Sequence, residues 1–170
     1  NPEESTILFL QDVLAEVADL FPGTYLHIGG DEATKEQWEK SPAVQKRMAD
    51  LGLENEDQMQ SYFISRMNDF LKARGKKLVG WDEIMDGGLG TDATVMAWRS
   101  VDKGITAAKA GHDVVMAPTA FTYFDYYQAP AKGEPLGIGG FLPLKKAYSF
   151  DPVPGELDAA AAARVLGAQA

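Results

Sequence analysis

The chain has 170 residues, of which 45% are apolar or aromatic, enough for one ordinary domain with a sizeable core. It carries 16 basic and 25 acidic side chains, a net charge of -9 that repels nucleic acid and anionic membrane surfaces and excludes both as expected partners. Cysteine is absent, which excludes disulfides and thiolate chemistry, and no apolar run approaches the roughly 20 residues of a membrane helix.

The first half of the chain has long helical patterns separated by two short apolar runs. Capping residues and glycines mark the helix ends, and β-branched or aromatic residues between turn residues mark the strands. In chain order the predicted elements are a helix from Asn1 (as N-cap) and Pro2 to Phe21-Pro22-Gly23, a strand Thr24–Ile28, a short helical piece around Trp38, a helix from Ser41-Pro42 to Gly52, a helix from Asn55 to about Arg74, and a strand Lys77–Trp81.

The second half begins with a glycine-rich loop through Gly90 and continues the alternation. Its predicted elements are a strand Thr94–Trp98, a helix Val101–Ala110, a strand Asp113–Ala117, an aromatic and mostly loop-like segment Phe121–Gln128, a proline-rich surface segment Ala129–Pro154, and an alanine-rich helix capped by Asp158 that runs to Leu166. The last residues, Leu166 to Ala170, resemble entry into a strand.

The alternation of strands and helices predicts an α/β fold of βα units with a parallel sheet. Polar or aromatic residues follow strand after strand, at the end of the sheet where (β/α)₈ barrels place their catalytic residues. Such a barrel takes about 250 residues. We therefore expect residues 1–170 to form a single domain that is about half of a TIM-type barrel, either a piece of a longer enzyme or a chain that pairs with a second copy.

Two adjacent acids, Asp31 and Glu32, directly follow the first predicted strand. Neighbouring carboxylates repel each other, which favours one of them protonated and suits a general acid beside a carboxylate that stays ionised. Gly29-Gly30 permit a sharp turn off the strand and a close approach by a ligand. The alternative interpretation, that Asp31 only caps a following helix at Ala33-Thr34, stays open.

Aromatic residues accompany these acids. Trp81 and Trp98 end two predicted strands, where an indole face can stack on a sugar ring, although core filling is the alternative for either one alone. In Tyr123-Phe124-Asp125, the phenol can donate to a carbonyl group and the carboxylate can accept from a sugar hydroxyl, although aromatic loops are often only packed surface. His27 precedes the acids on the same strand and is expected to support them.

A metal or cofactor site is not expected, because the chain has no zinc-ligand spacing, no phosphate-binding loop and no nucleophile elbow. One alternative is a divalent ion held by Asp31, Glu32, Asp82 and Glu83. The neighbouring tryptophans argue against it, because hard cations prefer oxygen ligands and water to indole faces.

Four motifs in this order, His27-Ile28-Gly29-Gly30-Asp31-Glu32, Gly80-Trp81-Asp82-Glu83, Ala97-Trp98-Arg99 and Tyr123-Phe124-Asp125, resemble those of the family-20 glycoside hydrolases, the β-N-acetylhexosaminidases. The resemblance covers most of the chain. The first motif is the most specific, the second supports it, and the other two carry weight only within the series.

The resemblance implies a retaining, substrate-assisted mechanism on oligosaccharides or glycoconjugates that contain N-acetylhexosamine. Glu32 matches the general acid/base, and Asp31 matches the carboxylate that orients the 2-acetamido group. Tyr123 matches the residue that hydrogen-bonds the acetamido carbonyl. The remaining matches are Trp81 and Trp98 with walls of the sugar pocket, Asp125 with a residue that binds a sugar hydroxyl, and His27 with a supporting member of the motif.

The chain also departs from the family pattern. Family members supply an arginine and other polar groups from the first half of the barrel, which is not expected here. They also have a Trp-x-Glu segment just after a Gly-x-Gln, and this chain stops at Gly167-Ala168-Gln169-Ala170, immediately before that segment. A non-catalytic or incomplete carbohydrate-binding fragment is therefore the alternative function. Because an open half-barrel exposes sheet edges and a core face, pairing of two chains is also expected. The compartment, the natural glycan and the preference between GlcNAc and GalNAc stay open.

Overall fold

A computed structural model describes residues 2–130 and 132–170. The chain divides into two units, residues 1–94 and residues 95–170. Each unit has helices that pack on strands of its own. The expectation of a single catalytic domain remains a prediction.

The described part of the first unit, residues 2–94, has two complete parallel strands and four α-helices. Strands β1 and β2 pair in parallel, with Leu26 opposite Leu78 and His27 opposite Val79. A 3₁₀ helix, Asp82–Met85, follows β2 directly. The bounds are α1 Glu4–Leu20, β1 Tyr25–His27, α2 Glu36–Glu39, α3 Pro42–Leu51, α4 Glu56–Ala73 and β2 Lys77–Trp81.

Helices α3 and α4 begin and end where the sequence predicts. The Ser41 and Asn55 side chains accept hydrogen bonds from the amides of Val44 and Gln58, and Gly52 closes α3 in the left-handed conformation. Helix α4 packs on α1 and β2, and its Met67 and Leu71 side chains are buried. The core of this unit therefore includes the contact between α4 and β2, and a second buried cluster lies between α3 and α4.

The second unit repeats the βα pattern. Strands β3, β4 and β5 are parallel neighbours, and α5 packs on β4. Gly104 on α5 allows close packing, because a Cβ there would lie 2.2 Å from Met116 Sδ. The bounds are β3 Thr94–Ala97 (whose first residue ends the first unit), α5 Val101–Lys109, β4 Val114–Met116, α6 Thr119–Thr122, α7 Leu144–Tyr148, α8 Ala159–Ala162 and β5 Val165–Ala168.

The structure differs from the sequence predictions mainly near the chain ends. Helix α1 begins at Glu4 with Glu3 as its N-cap, because the Glu3 carbonyl accepts from the Thr6 and Ile7 amides. The predicted cap Asn1 lies outside the described residues. The alanine helix begins after Asp158 as predicted but ends at Ala162, because Arg164 already pairs through its carbonyl with the Val114 amide, so β5 starts at Val165.

Two short helices overlap segments expected to be loops. Helix α6 extends to Thr122, into the aromatic segment, and α7 lies within the proline-rich segment. Thr122 stabilises α6 by donating its hydroxyl proton to the Pro118 carbonyl over 3.0 Å. Within the described ranges, no helix combines the length and apolar character needed to cross a membrane.

Candidate active site

The acid pair lies in a turn at the carboxyl end of β1. The strand ladder continues past His27, since the Ile28 amide donates to the Val79 carbonyl and the Trp81 amide donates to the Gly29 carbonyl, each over 2.9 Å. Asp31 and Glu32 are both exposed to solvent beyond this point. The ladder therefore fixes where the acid-bearing turn leaves the sheet.

Two glycines make this turn possible. Gly29 and Gly30 have φ angles of +77° and +100°, which residues with a side chain rarely adopt. A Cβ at position 30 would also lie 2.6 Å from Ile84 Cγ2. Glycine is thus required at position 30 both by backbone conformation and by packing.

Glu32 itself has a φ of +47°, the only positive value among the described residues other than glycine. A left-handed backbone at such a residue costs of order 1–3 kcal/mol and is concentrated at functional sites. Asp31 does not cap a helix here, since the next helix, α2, begins only at Glu36 and has Lys35 at its N-cap position. The capping interpretation is therefore wrong.

Side chains outside the turn hold its backbone. The Gln60 Nε2 group on α4 donates to the Gly30 carbonyl over 2.7 Å, and Lys35 Nζ donates to the Ala33 carbonyl over 2.9 Å. Lys35 also donates to Gln60 Oε1 and lies 3.8 Å from Asp57 Oδ1. The two carbonyl groups that flank the acid pair are thus tied to the same side-chain network.

His27 and Trp81 pack edge to face, with ring centroids 4.8 Å apart. His27 Nδ1 accepts a hydrogen bond of 3.0 Å from the Gly29 amide. Partial desolvation of the ring lowers the pKa of His27 below its ordinary value of 6.5, while the nearby negative charge of Asp31 opposes this shift. The imidazole is therefore neutral at pH 7 and braces the turn that carries the acids.

A cavity of about 430 Å³ opens beside Glu32. Its lining combines acidic side chains with one cation, and consists of Glu32, Ala33, Thr34, Lys35, Asp57, Gln60, Glu83 and Asp86. Glu32 thus faces a space large enough for part of a ligand. Lys35 and Gln60, which hold the turn, line the same space.

The structure does not support the alternative of a divalent ion between four acids. Asp82 is fully buried after β2, whereas Asp31 and Glu32 are exposed. Across residues 2–130 and 132–170, no group of three or more histidine, cysteine, aspartate or glutamate side chains is arranged to hold a metal ion.

The second unit holds the remaining residues predicted for the site. Trp98 follows β3, and its ring stacks on Tyr123 at a centroid distance of 6.5 Å. Tyr126 packs against Tyr123 at 5.9 Å. Asp125 is exposed in the turn after α6, where its carbonyl accepts from the Ile138 amide over 3.0 Å. The structure therefore brings Trp98 and Tyr123 together in an aromatic cluster.

Sequence reasoning missed Gln60, Lys35 and Tyr126. Gln60 had a detectable signal, since it lies four and seven residues before the buried Ile64 and Met67, on the apolar face of α4. A polar residue in that position needs a buried partner. Lys35 and Tyr126 had no comparable signal, because their partners depend on how the turns fold.

Comparison with protein families identifies the family of this chain. The model for glycosyl hydrolase family 20, catalytic domain, matches residues 1–170. The chain belongs to this family. The fold predicted from the sequence, part of a TIM-type (β/α) barrel with parallel strands, is thereby confirmed, as is the resemblance to family 20.

Individual members of family 20 are similar over nearly the whole chain. A beta-hexosaminidase of Porphyromonas gingivalis is 50% identical over 99% of this chain, and one of Vibrio furnissii is 37% identical over 87%. The crystal structure of a GH20 exo-β-N-acetylglucosaminidase from Vibrio harveyi in complex with N-acetylglucosamine is 36% identical over 99% of the chain, with a TM-score of 0.88. The chain spans only 22%, 24% and 27% of these three proteins, respectively.

Proposed function

We propose that this chain carries the catalytic acid pair of a retaining β-N-acetylhexosaminidase, which removes terminal β-linked GlcNAc or GalNAc. The observation that carries the proposal is the Asp31-Glu32 pair in a left-handed turn at the carboxyl end of β1, beside an open cavity. Membership of family 20 supports it, as does the N-acetylglucosamine bound to the Vibrio harveyi relative.

In the proposed mechanism, the substrate provides its own nucleophile. Glu32 donates a proton to the glycosidic oxygen while the acetamido oxygen attacks the anomeric carbon, so that the leaving group departs as an alcohol and an oxazolinium ion forms. Glu32, now ionised, removes a proton from the water that opens this ring, which restores the acid and retains the anomeric configuration. An enzyme nucleophile is unnecessary in this scheme.

Asp31 has a different task. Its carboxylate orients the acetamido N–H and stabilises the positive charge that develops on the group during attack. The Asp31 Oδ1 atom lies 3.6 Å from the position that a Cβ at Gly29 would take, so one carboxylate oxygen lies beside the Gly29 backbone. Two adjacent acids can thus act on different parts of one sugar, one on the leaving oxygen and one on the acetamido group.

The aromatic residues are assigned to substrate binding. The Tyr123 hydroxyl donates to the acetamido carbonyl, and Trp81 and Trp98 provide apolar faces for the sugar and its acetamido methyl. Asp125, whose carboxylate is exposed, accepts from a sugar hydroxyl. His27 holds the turn of the acids rather than touching the sugar, which agrees with its bond to the Gly29 amide.

Hydrolysis of a chromogenic β-GlcNAc substrate by the full chain tests the proposal. We expect turnover that survives a chelator and falls by about 100-fold or more in Glu32→Gln, because general acid–base catalysis contributes roughly 10²–10⁴-fold. Glu39→Gln, which alters an exposed acid on α2, serves as the matched control and should keep full activity. Chelator-sensitive turnover would contradict the mechanism, and sugar binding without turnover would favour the non-catalytic alternative.

A thiazoline analogue of the oxazolinium ion tests the acetamido step separately. We expect it to inhibit competitively, and Asp31→Asn to lose most of the turnover because it no longer stabilises the positive charge on that group. Inhibitor titration gives the inhibition constant of the thiazoline, and single-turnover kinetics give the rate of the chemical step in Asp31→Asn. Turnover that the thiazoline leaves unchanged would rule out substrate assistance.

Pairing of two copies of this chain also remains a prediction. Sedimentation velocity across a range of protein concentrations tests it, with a species of twice 18.4 kDa expected. A single species of 18.4 kDa at every concentration would show that the chain does not pair.

A further inference from the structure

The turn that carries the acids is closed by two side chains that are not in the catalytic motif. Gln60 Nε2 donates to the Gly30 carbonyl over 2.7 Å, and Lys35 Nζ donates to the Ala33 carbonyl over 2.9 Å. Gly30 and Ala33 are the immediate neighbours of the acid pair. Since Lys35 also donates to Gln60 Oε1, a continuous chain of hydrogen bonds joins the two sides of the turn.

This pair of side chains, the Gln60–Lys35 clamp, is anchored to a helix. Gln60 is only 8% exposed on α4, and both ends of its amide group are engaged, so its orientation is fixed. The Lys35 side chain is 21% exposed and lies 3.8 Å from Asp57, which belongs to the first turn of the same helix. The clamp therefore couples the acid-bearing turn to the most extensively buried helix of its unit.

The turn needs such support because Glu32 has a left-handed φ of +47°. A residue in this conformation stays there only when its surroundings determine it. The backbone of Glu32 sets the direction of its Cα–Cβ bond and so limits where its carboxylate can lie, and a proton donor misplaced by about 1 Å can lose about 100-fold in rate.

We propose that Gln60 and Lys35 are positioning residues that hold Asp31 and Glu32 in their reactive arrangement through the loop backbone. The inference rests on the proposed hexosaminidase activity. The clamp acts on the carbonyl groups of Gly30 and Ala33, so it sets kcat more than the affinity for the sugar. An ammonium donor is not essential at position 35, because a guanidinium can also donate to two acceptors.

The first test is steady-state kinetics of the full chain on the chromogenic β-GlcNAc substrate. We expect Gln60→Met and Lys35→Met to lower kcat about 10- to 100-fold with little change in KM, and Lys35→Arg to recover most of the loss. Gln37→Met and Lys40→Met, exposed neighbours around α2, are the matched controls and should behave as the unmodified chain does. A rise in KM at constant kcat would overturn the inference and make these residues substrate contacts.

The second test does not need turnover. Nitrogen-15 relaxation should give backbone order parameters near 0.85 for Asp31 and Glu32 in the unmodified chain, and values falling toward about 0.6 in Lys35→Met but not in Lys40→Met. Unchanged order parameters in Lys35→Met would overturn the clamp even if kcat falls. If the unmodified chain does not hydrolyse the substrate, the proposed function is wrong. The relaxation data still test whether Lys35 holds the turn.

Thermal unfolding separates positioning from loss of the fold. Gln60→Met leaves the Gly30 carbonyl without its partner, so this variant is destabilised. If it fails to fold, Lys35→Met and Lys35→Arg decide the question, because Lys35 lies partly at the surface. A kcat loss in Lys35→Met that Lys35→Arg does not relieve would contradict the proposal.

Discussion

At the scale of single residues, the imidazole of His27 holds the acid turn in a way that depends on its charge. The Gly29 amide donates to Nδ1 over 3.0 Å, so that nitrogen has to be unprotonated and the neutral ring carries its proton on Nε2. Protonation of the ring places a hydrogen on Nδ1 and removes this acceptor. Partial desolvation lowers the pKa of His27, which keeps Nδ1 available as the acceptor at neutral pH.

This linkage predicts a pH dependence of stability. Below pH 6.5 the unfolded chain binds a proton at His27 that the folded chain, with its lower pKa, does not bind. Stability is therefore fully present above pH 6.5 and falls as the pH drops toward the folded pKa. His27→Asn retains an acceptor for Gly29 but cannot titrate, so its melting temperature should fall less between pH 7 and pH 5. If the melting temperatures of His27→Asn and the unmodified chain fall equally between pH 7 and pH 5, protonation of His27 does not destabilise the chain.

At the scale of elements, the glycine-rich loop after β2 packs closely against the start of α4. A Cβ at Gly87 would lie 2.0 Å from the Asp57 carbonyl oxygen and 2.6 Å from the Gln58 nitrogen. Both atoms belong to the helix backbone and cannot rotate away. The loop thus supports the helix turn that supplies Asp57 and, one turn later, Gln60.

Gly87→Ala is therefore expected to destabilise the chain by about 1–3 kcal/mol, the usual range for overpacking. Gly23→Ala is the control, because a Cβ there meets nothing within 4 Å. Alanine also lowers the conformational entropy of the unfolded chain, so this substitution is expected to be neutral or stabilising. Urea unfolding of both variants measures the difference. Equal midpoints for the two would show that the loop moves aside without cost.

Local sequence signals predicted these elements unevenly. Ser41, Gly52 and Asn55 form hydrogen bonds or backbone turns with residues close in sequence, so their helix ends could be predicted. Gln60 and Lys35 are 25 residues apart, and their contact exists only after α4 packs beside the turn. For α4, the structure buries Gln60, Ser61 and Asn68 but leaves Tyr62, Phe63 and Phe70 only partly buried, a distinction that apolar periodicity cannot make.

At the scale of the whole molecule, the alternation of strands and helices was enough to predict a parallel α/β barrel fold, because βα units impose it. The sharp turn at Gly29 and Gly30 was also predictable, since it depends on short spacing within one motif. The sequence did not predict the division into two units, or the early end of the last helix, where pairing of β5 with β4 competes with the helical preference of alanine. The roles of the individual site residues stay predictions that the proposed variants test.

The left-handed backbone of Glu32 affects which substitutions would stabilise this protein. Glycine would adopt a φ of +47° without the strain that glutamate bears. A screen for thermal stability alone would thus favour the replacement of Glu32, whereas under its proposed role as the general acid a screen for turnover would restore it. Under the proposed role of Glu32, stability and catalytic activity place opposite demands on position 32, so stabilising substitutions have to be made elsewhere in the chain.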